Sequence, residues 1–236
     1  MRLLRMTPGH GDVLLAEGDR DVAEDEERLV EEFRRQLELG MWAAVPVPSE
    51  AGRHEATMVR DFAEIPAGAE RVIFFPPAAG GARGARAARG EEAEARAREL
   101  LGATAGPDAL AMYDQLGFLA IEREGYGYLL YPHRPVVAYD AETRELLNEY
   151  CVLFREGAKR GGRRLPDADD VLAKWLALRG DERKLIGTAN MDPPGRQLDP
   201  EMVRRDLVAL SAWTGYPKMA RHQEGIPGGE AEEMPL

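Results

Sequence analysis

RVIFFPPAAGG, residues 71–81, is the stretch that decides how this chain divides. Five residues of it, RVIFF, are β-branched or aromatic after one arginine, a composition that fits a strand. Two prolines then end the strand, and two glycines follow. Downstream lie residues 82–90, with Arg83, Arg86 and Arg89 at every third position. That spacing buries no apolar face and reads as a linker, turning helical at EEAEARARELL.

Upstream, LLRM (3–6) and VLLA (13–16) flank TPGHGD, whose Pro and Gly favour a turn, so the pair reads as a hairpin. The acidic stretch 19–27 leads into a helix with Leu29, Val30, Phe33, Leu37 and Leu39 on one face. Acidic residues suit its positive end, and Gly40 suits its stop. Residues 41–47 and 58–62 read as two further strands before 71–75. The order is β, β, α, β, β, β.

This order, ending in PPAAGG, resembles the small ubiquitin-like β-grasp sulfur carriers of molybdopterin and thiamine biosynthesis. Those proteins end in Gly-Gly after an apolar strand, and a partner enzyme activates the free terminal carboxylate. The resemblance implies a β-grasp fold and makes Gly80 and Gly81 candidate processing or conjugation residues. Glycines suit that role because a tail without Cβ atoms threads a narrow site. Here Ala82 follows Gly81, so carrier chemistry requires a cut after Gly81.

The second region opens with the helix at 91 and a second helix over 107–116, with Pro107 at its start and Gly117 at its stop. Residues 118–123, 126–131, 136–139 and 146–154 read as four strands joined by short turns, an antiparallel meander. Helices follow over 167–178, 181–190 and 200–213. NEYCV (148–152), LPDADDVLAKW (165–175) and TAN (188–190) together resemble uncharacterised domains of bacterial and phage genomes, to which no activity attaches. The fold class is therefore α+β: a β-grasp-like domain over 1–81, a linker over 82–92, a second α+β domain over 93–215 with a meander and C-terminal helices, and an acidic flexible tail over 216–236.

Cys151 is the single cysteine of the 236 residues, so no internal disulfide and no multi-cysteine zinc site exist. It reads as a small apolar strand residue, with a reactive thiol as the sharper alternative. YPHRP (131–135) upstream of it resembles the Tyr-Pro-x-x-Pro segment of ubiquitin-conjugating enzymes. The spacing here is shorter, the HPN motif is missing and fewer strands precede the segment. Asp167, Asp169 and Asp170 sit at a helix start, where Asp167 is expected to cap free amides and the others to complement the dipole. The four histidines have no ligand spacing, and no metal site is expected. No Walker loop, Rossmann fingerprint or nucleophile elbow occurs, so no cofactor and no catalysis are expected.

The formal net charge of −11 disfavours a polyanionic partner. One local exception is Lys159, Arg160, Arg163 and Arg164, a basic loop beside Tyr126 and Tyr128, which alternation puts on one face. Basic residues interleaved with aromatics are what a nucleic-acid contact would use. No apolar run approaches a membrane span. The sequence reads as a cytoplasmic, non-catalytic interaction protein with a protein partner; a carrier precursor cut after Gly81 and a weak nucleic-acid binder are the alternatives.

Overall fold

The computed structural model describes residues 1–8, 10–48, 54–80, 91–154 and 164–223. Gly81, most of the expected linker, Lys159, Arg160, Arg163 and residues 224–236 lie outside the described residues.

The hairpin forms as β1 (Arg2–Thr7) and β2 (Gly11–Glu17). Helix α1 (Ala23–Glu38) follows, with Glu24, Asp25 and Glu26 in its first turn. Then come β3 (Trp42–Pro48), β4 (His54–Val59) and β5 (Arg71–Phe75). The strand order is β2-β1-β5-β3-β4, with β1 and β5 parallel and every other pair antiparallel. The sheet is mixed, with β1 and β5 parallel and α1 across one face. β4 lies earlier than the expected 58–62. Asp61 stops it: its side chain accepts from the Ala63 amide, while Glu64 reaches back to the Asp61 amide, and Phe62–Glu64 becomes a 3-10 turn.

The second sheet follows the expected meander: β7 (Leu119–Glu122), β8 (Tyr126–Leu130), β9 (Val136–Asp140) and β10 (Leu146–Phe154) pair antiparallel in sequence order. Two short strands were not legible in the sequence. β11 (Asn190–Asp192) pairs with β10 where the helix over 181–190 was expected to end. β6 (Ala78–Gly80) pairs antiparallel with Val152–Phe154 of β10. The residues expected to leave the first sheet for a linker thus join the second sheet.

Helices α2 (Glu91–Ala105), α3 (Pro107–Leu116), α4 (Asp167–Thr188) and α5 (Pro200–Gln223) complete the chain. α4 merges the two expected helices across a kink at Asp181, whose φ of −158° and ψ of 76° leave the helical region. Asp181 Oδ1 accepts from the Lys184 amide and restarts the helix. α5 continues beyond 213, so residues 216–223 are helix rather than tail. Among the described residues the chain is α+β, with five helices and two antiparallel-rich sheets.

The layers explain why both sheets need the same helices. Alternation along β5 sends Val72 and Phe74 toward α1, where Phe74 meets Phe33 at 5.4 Å between ring centroids. Ile73 and Phe75 point the other way, into an interior shared with α2, α4 and one face of the meander. The meander alternates likewise: Val136 and Ala138 join that shared interior, while Val137 and Tyr139 pack with Val203, Leu207 and Leu210 of α5.

Helix α4 lies close against the first sheet. A Cβ on Gly180 of α4 would lie 2.5 Å from the Met58 side chain of β4. Arg179 bonds Glu55 at 2.9 Å, and the Lys184 ammonium sits 4.1 Å from the Trp42 ring centroid. One apolar interior therefore crosses the expected boundary at residue 81, while the interior around Phe33 and Phe74 lies wholly before it. The apolar second face of the first sheet is covered by the helices of the second region.

Candidate functional site

The polar groups that stand out are buried at the N-terminal end of α4. Residues 168–178 of this helix are buried on every side, so its polar residues go inside with the rest. Lys174 is fully buried, and its three donors are all used: Tyr131 O at 2.6 Å, Arg134 O at 3.0 Å and Asp170 Oδ2 at 2.6 Å. Asp170 Oδ2 also accepts from the His133 amide at 2.8 Å. The His133 ring lies between two carboxylates, 3.2 Å from Asp167 and 3.5 Å from Asp170. His133 has φ of 53°, a left-handed conformation that costs a residue with a Cβ and persists only when its surroundings fix it. Lys174 and Asp170, one turn apart on α4, supply that fixing, because together they bond Tyr131 O, the His133 amide and Arg134 O.

The capping expected of Asp167 is done by another residue. The N-cap position is Pro166, with no side-chain cap bond. Glu94 of α2 instead accepts from the Asp167 amide at 2.7 Å and the Ala168 amide at 3.2 Å, and Tyr113 donates to it at 3.3 Å. Burial raises the Glu94 carboxyl, and neighbouring Asp167 adds to the rise. Asp169 and Asp170, expected to complement the helix dipole, are buried.

Asp169 is the group without an answer. It is fully buried, and neither carboxylate oxygen has a hydrogen-bond partner among the described residues. Burial pushes its carboxyl well above the usual carboxylate range, and Asp12, Glu94 and Asp170 push it the same way. Its folded pKa therefore exceeds its unfolded one. The stability it contributes is fully present below about pH 4 and is lost as pH rises through the folded value. Asp169→Asn removes this loss. The variant's advantage over the parent in urea unfolding is expected to grow by up to about 1.4 kcal/mol per pH unit above pH 4, then level off. An advantage that stays constant with pH contradicts the assignment.

Cys151 is 6% exposed on β10, on the strand face it shares with Glu149. Glu149 is buried and accepts from the amides of Gly195 at 2.8 Å, Gln197 at 2.7 Å and Leu198 at 3.3 Å. It thereby ties the turn before α5 to the strand. That turn, the 131–135 turn and β10 enclose a cleft of about 330 Å³, with Cys151, His133, Arg134 and Arg164 among its walls. Gly80 lies opposite Val152, so the structure brings the candidate processing glycine next to the strand position of Cys151.

Tyr126 and Tyr128 do share a face, at 5.6 Å between centroids, but they do not form an open stacking platform. Tyr128 is buried, and both hydroxyls donate to Glu182, at 2.8 and 2.9 Å. Of the basic loop, Arg164 alone is among the described residues, and it borders the Cys151 cleft. Among the described residues no three His, Cys, Asp or Glu side chains are placed to hold a metal ion. No described helix is long and apolar enough to cross a membrane.

No family model matches this chain, and neither a curated protein nor a solved structure matches it.

The Asp170–Lys174 clamp was written in the sequence as an i, i+4 pair within DADDVLAKW. Such pairs on amphipathic helices face water. The signal that this one does not is the apolar residues on all sides of it.

Proposed function

We propose that this chain is a non-catalytic accessory protein that works by contact with a protein partner, with its β-grasp-like half built permanently into the body. The observation that carries this reading is the edge of the first sheet. Among the described residues β2 is the last strand of its sheet, and two adjacent side chains on it, Val13 and Leu14, are 39% and 50% exposed. An unpaired edge offers main-chain donors and acceptors to an added strand, and apolar side chains beside it add affinity.

A photo-reactive residue at Leu14 in the native host tests this. The expected result is one adduct of fixed mass, lost when Val13 is changed to Asp. Absence of any adduct, together with single-turnover acylation of Cys151 by purified protein, overturns the reading.

The second reading is a carrier precursor released after Gly81. The nearness of Gly80 to Cys151 favours it. Against it stands the shared interior: release would strip β6 from β10 and expose the face of the first sheet that carries Ile73 and Phe75. Intact mass from the native host separates the two. A fragment ending at Gly81 supports the precursor, and full-length chain alone removes it.

A further inference from the structure

The cleft beside Cys151 carries an inference independent of the partner contact. Its volume of about 330 Å³ falls at the small end of the range in which proteins hold organic ligands. Its apolar side is made by Cys151, Leu198 and Met202, which sit on three different elements. Its polar lining is His133, Arg134, Arg164, Gln197 and Asp199.

Several arginines elsewhere lie against carboxylates, as Arg179 on Glu55, Arg98 on Asp114 and Arg144 on Glu122, while Arg20 bonds the main-chain carbonyls of Ile65 and Pro66. Arg134 and Arg164 have no carboxylate partner among the described residues. Arg134 donates to the thioether of Met202, at 3.3 Å. Arg134 is exposed and Arg164 half-buried, and both border the cleft. A guanidinium fork matches a carboxylate in shape and charge.

Three negative groups lie nearby, and one of them, Asp199, lines the cleft itself. Asp170 is held by Lys174. Asp167 lies against the His133 ring. Asp199 accepts from the Glu201 amide at the start of α5. The position of Arg134 is also fixed in advance, because its own carbonyl is one of the three acceptors of buried Lys174.

We propose that this cleft binds a small ligand with one carboxylate on a short apolar body, the carboxylate held by Arg134 and Arg164 and the body set against Cys151, Leu198 and Met202. Two sources supply this chemistry: a free organic acid and the C-terminus of a peptide ending in an apolar residue.

Cys151 is the only thiol in the chain, so it reports on the cleft directly. The experiment follows the rate of its alkylation by N-ethylmaleimide in the full chain. Probes are hexanoate, an acetylated dipeptide ending in leucine, and the amides of both. Either acid is expected to slow alkylation several-fold at millimolar concentration, the affinity range of so small a ligand. Its amide is expected to give no protection. Arg134→Ala and Arg164→Ala are each expected to weaken protection about tenfold or more, with unchanged thermal unfolding. Protection by hexanoate alone assigns a free acid, and protection by the peptide alone assigns a chain terminus. Equal protection by acid and amide, or none by any probe, overturns the proposal. The amide comparison on the parent chain decides the matter even where an arginine variant folds poorly.

Discussion

Phe75→Ala is expected to destabilise the chain by about 3–5 kcal/mol and to lower one single unfolding transition seen by both sheets. Phe75 is fully buried in β5, on the face turned away from α1. Its ring meets Trp42 at 6.1 Å and Phe154 of β10 at 6.0 Å, both edge-on. Phe154 belongs to the second sheet, so this contact spans the line where the sequence suggested a joint. Truncation removes the ring from both sheets at once and leaves a cavity that β5, paired on both sides, cannot close. For a chain of this length the melting temperature is expected to fall by roughly 6–20 °C. The test is unfolding followed by two probes, one in each sheet. If the first sheet melts early while the second keeps its parental midpoint, the interior is not shared and the two halves fold apart.

The reason the sequence suggested a joint lies in RVIFF itself. Its alternation was legible, and so were the strand, its exit through Pro76 and Pro77, and the helix before it. The strand is also apolar at four consecutive positions, which means that both faces are covered. One face belongs to α1, and α1 has one apolar stripe, enough for one face of a sheet. The other face had to find helices from beyond residue 81. Local pattern shows that a face is buried but not what covers it, because the covering residues are distant in the chain. The same limit hid β6. Three residues, AAG, carry no strand signal, and their pairing is decided by β10, more than 70 positions later by the numbering.

The meander was legible because each turn joins neighbours in space, and its four strands needed no distant information. The buried cluster on α4 was not. Asp169, Asp170 and Lys174 have the composition of a solvated turn, and only the residues between them show otherwise. Val171, Leu172, Ala173 and Trp175 to Leu178 leave no polar side on the helix. A helix apolar on every side belongs to an interior, and its charged residues then need partners there. Glu94 shows the same thing from the partner's position: it caps a helix more than 70 positions away, which no window of sequence reveals.

Lys174→Ala is the second large effect. Its ammonium is fully buried and holds Asp170, Tyr131 O and Arg134 O together. Removal leaves the Asp170 carboxylate without its counter-charge and two carbonyls without a donor. Breaking one side of a buried pair costs about 3–5 kcal/mol, mostly the cost of the charge left behind. Lys174→Met keeps the volume but not the charge, so it is expected to cost nearly as much. Adding Asp170→Asn to Lys174→Met is expected to recover part of the loss, since the double variant has no stranded charge. Urea unfolding of the four proteins measures the coupling, and simple additivity would show that the clamp holds nothing. The clamp also sets the 131–135 turn, with His133 in its left-handed conformation and Arg134 at the cleft. Loosening the turn opens one wall around Cys151. Alkylation of Cys151 in Lys174→Met is therefore expected to be faster than in the parent under conditions where both are folded. An unchanged rate would mean that the turn keeps its place without the buried ammonium.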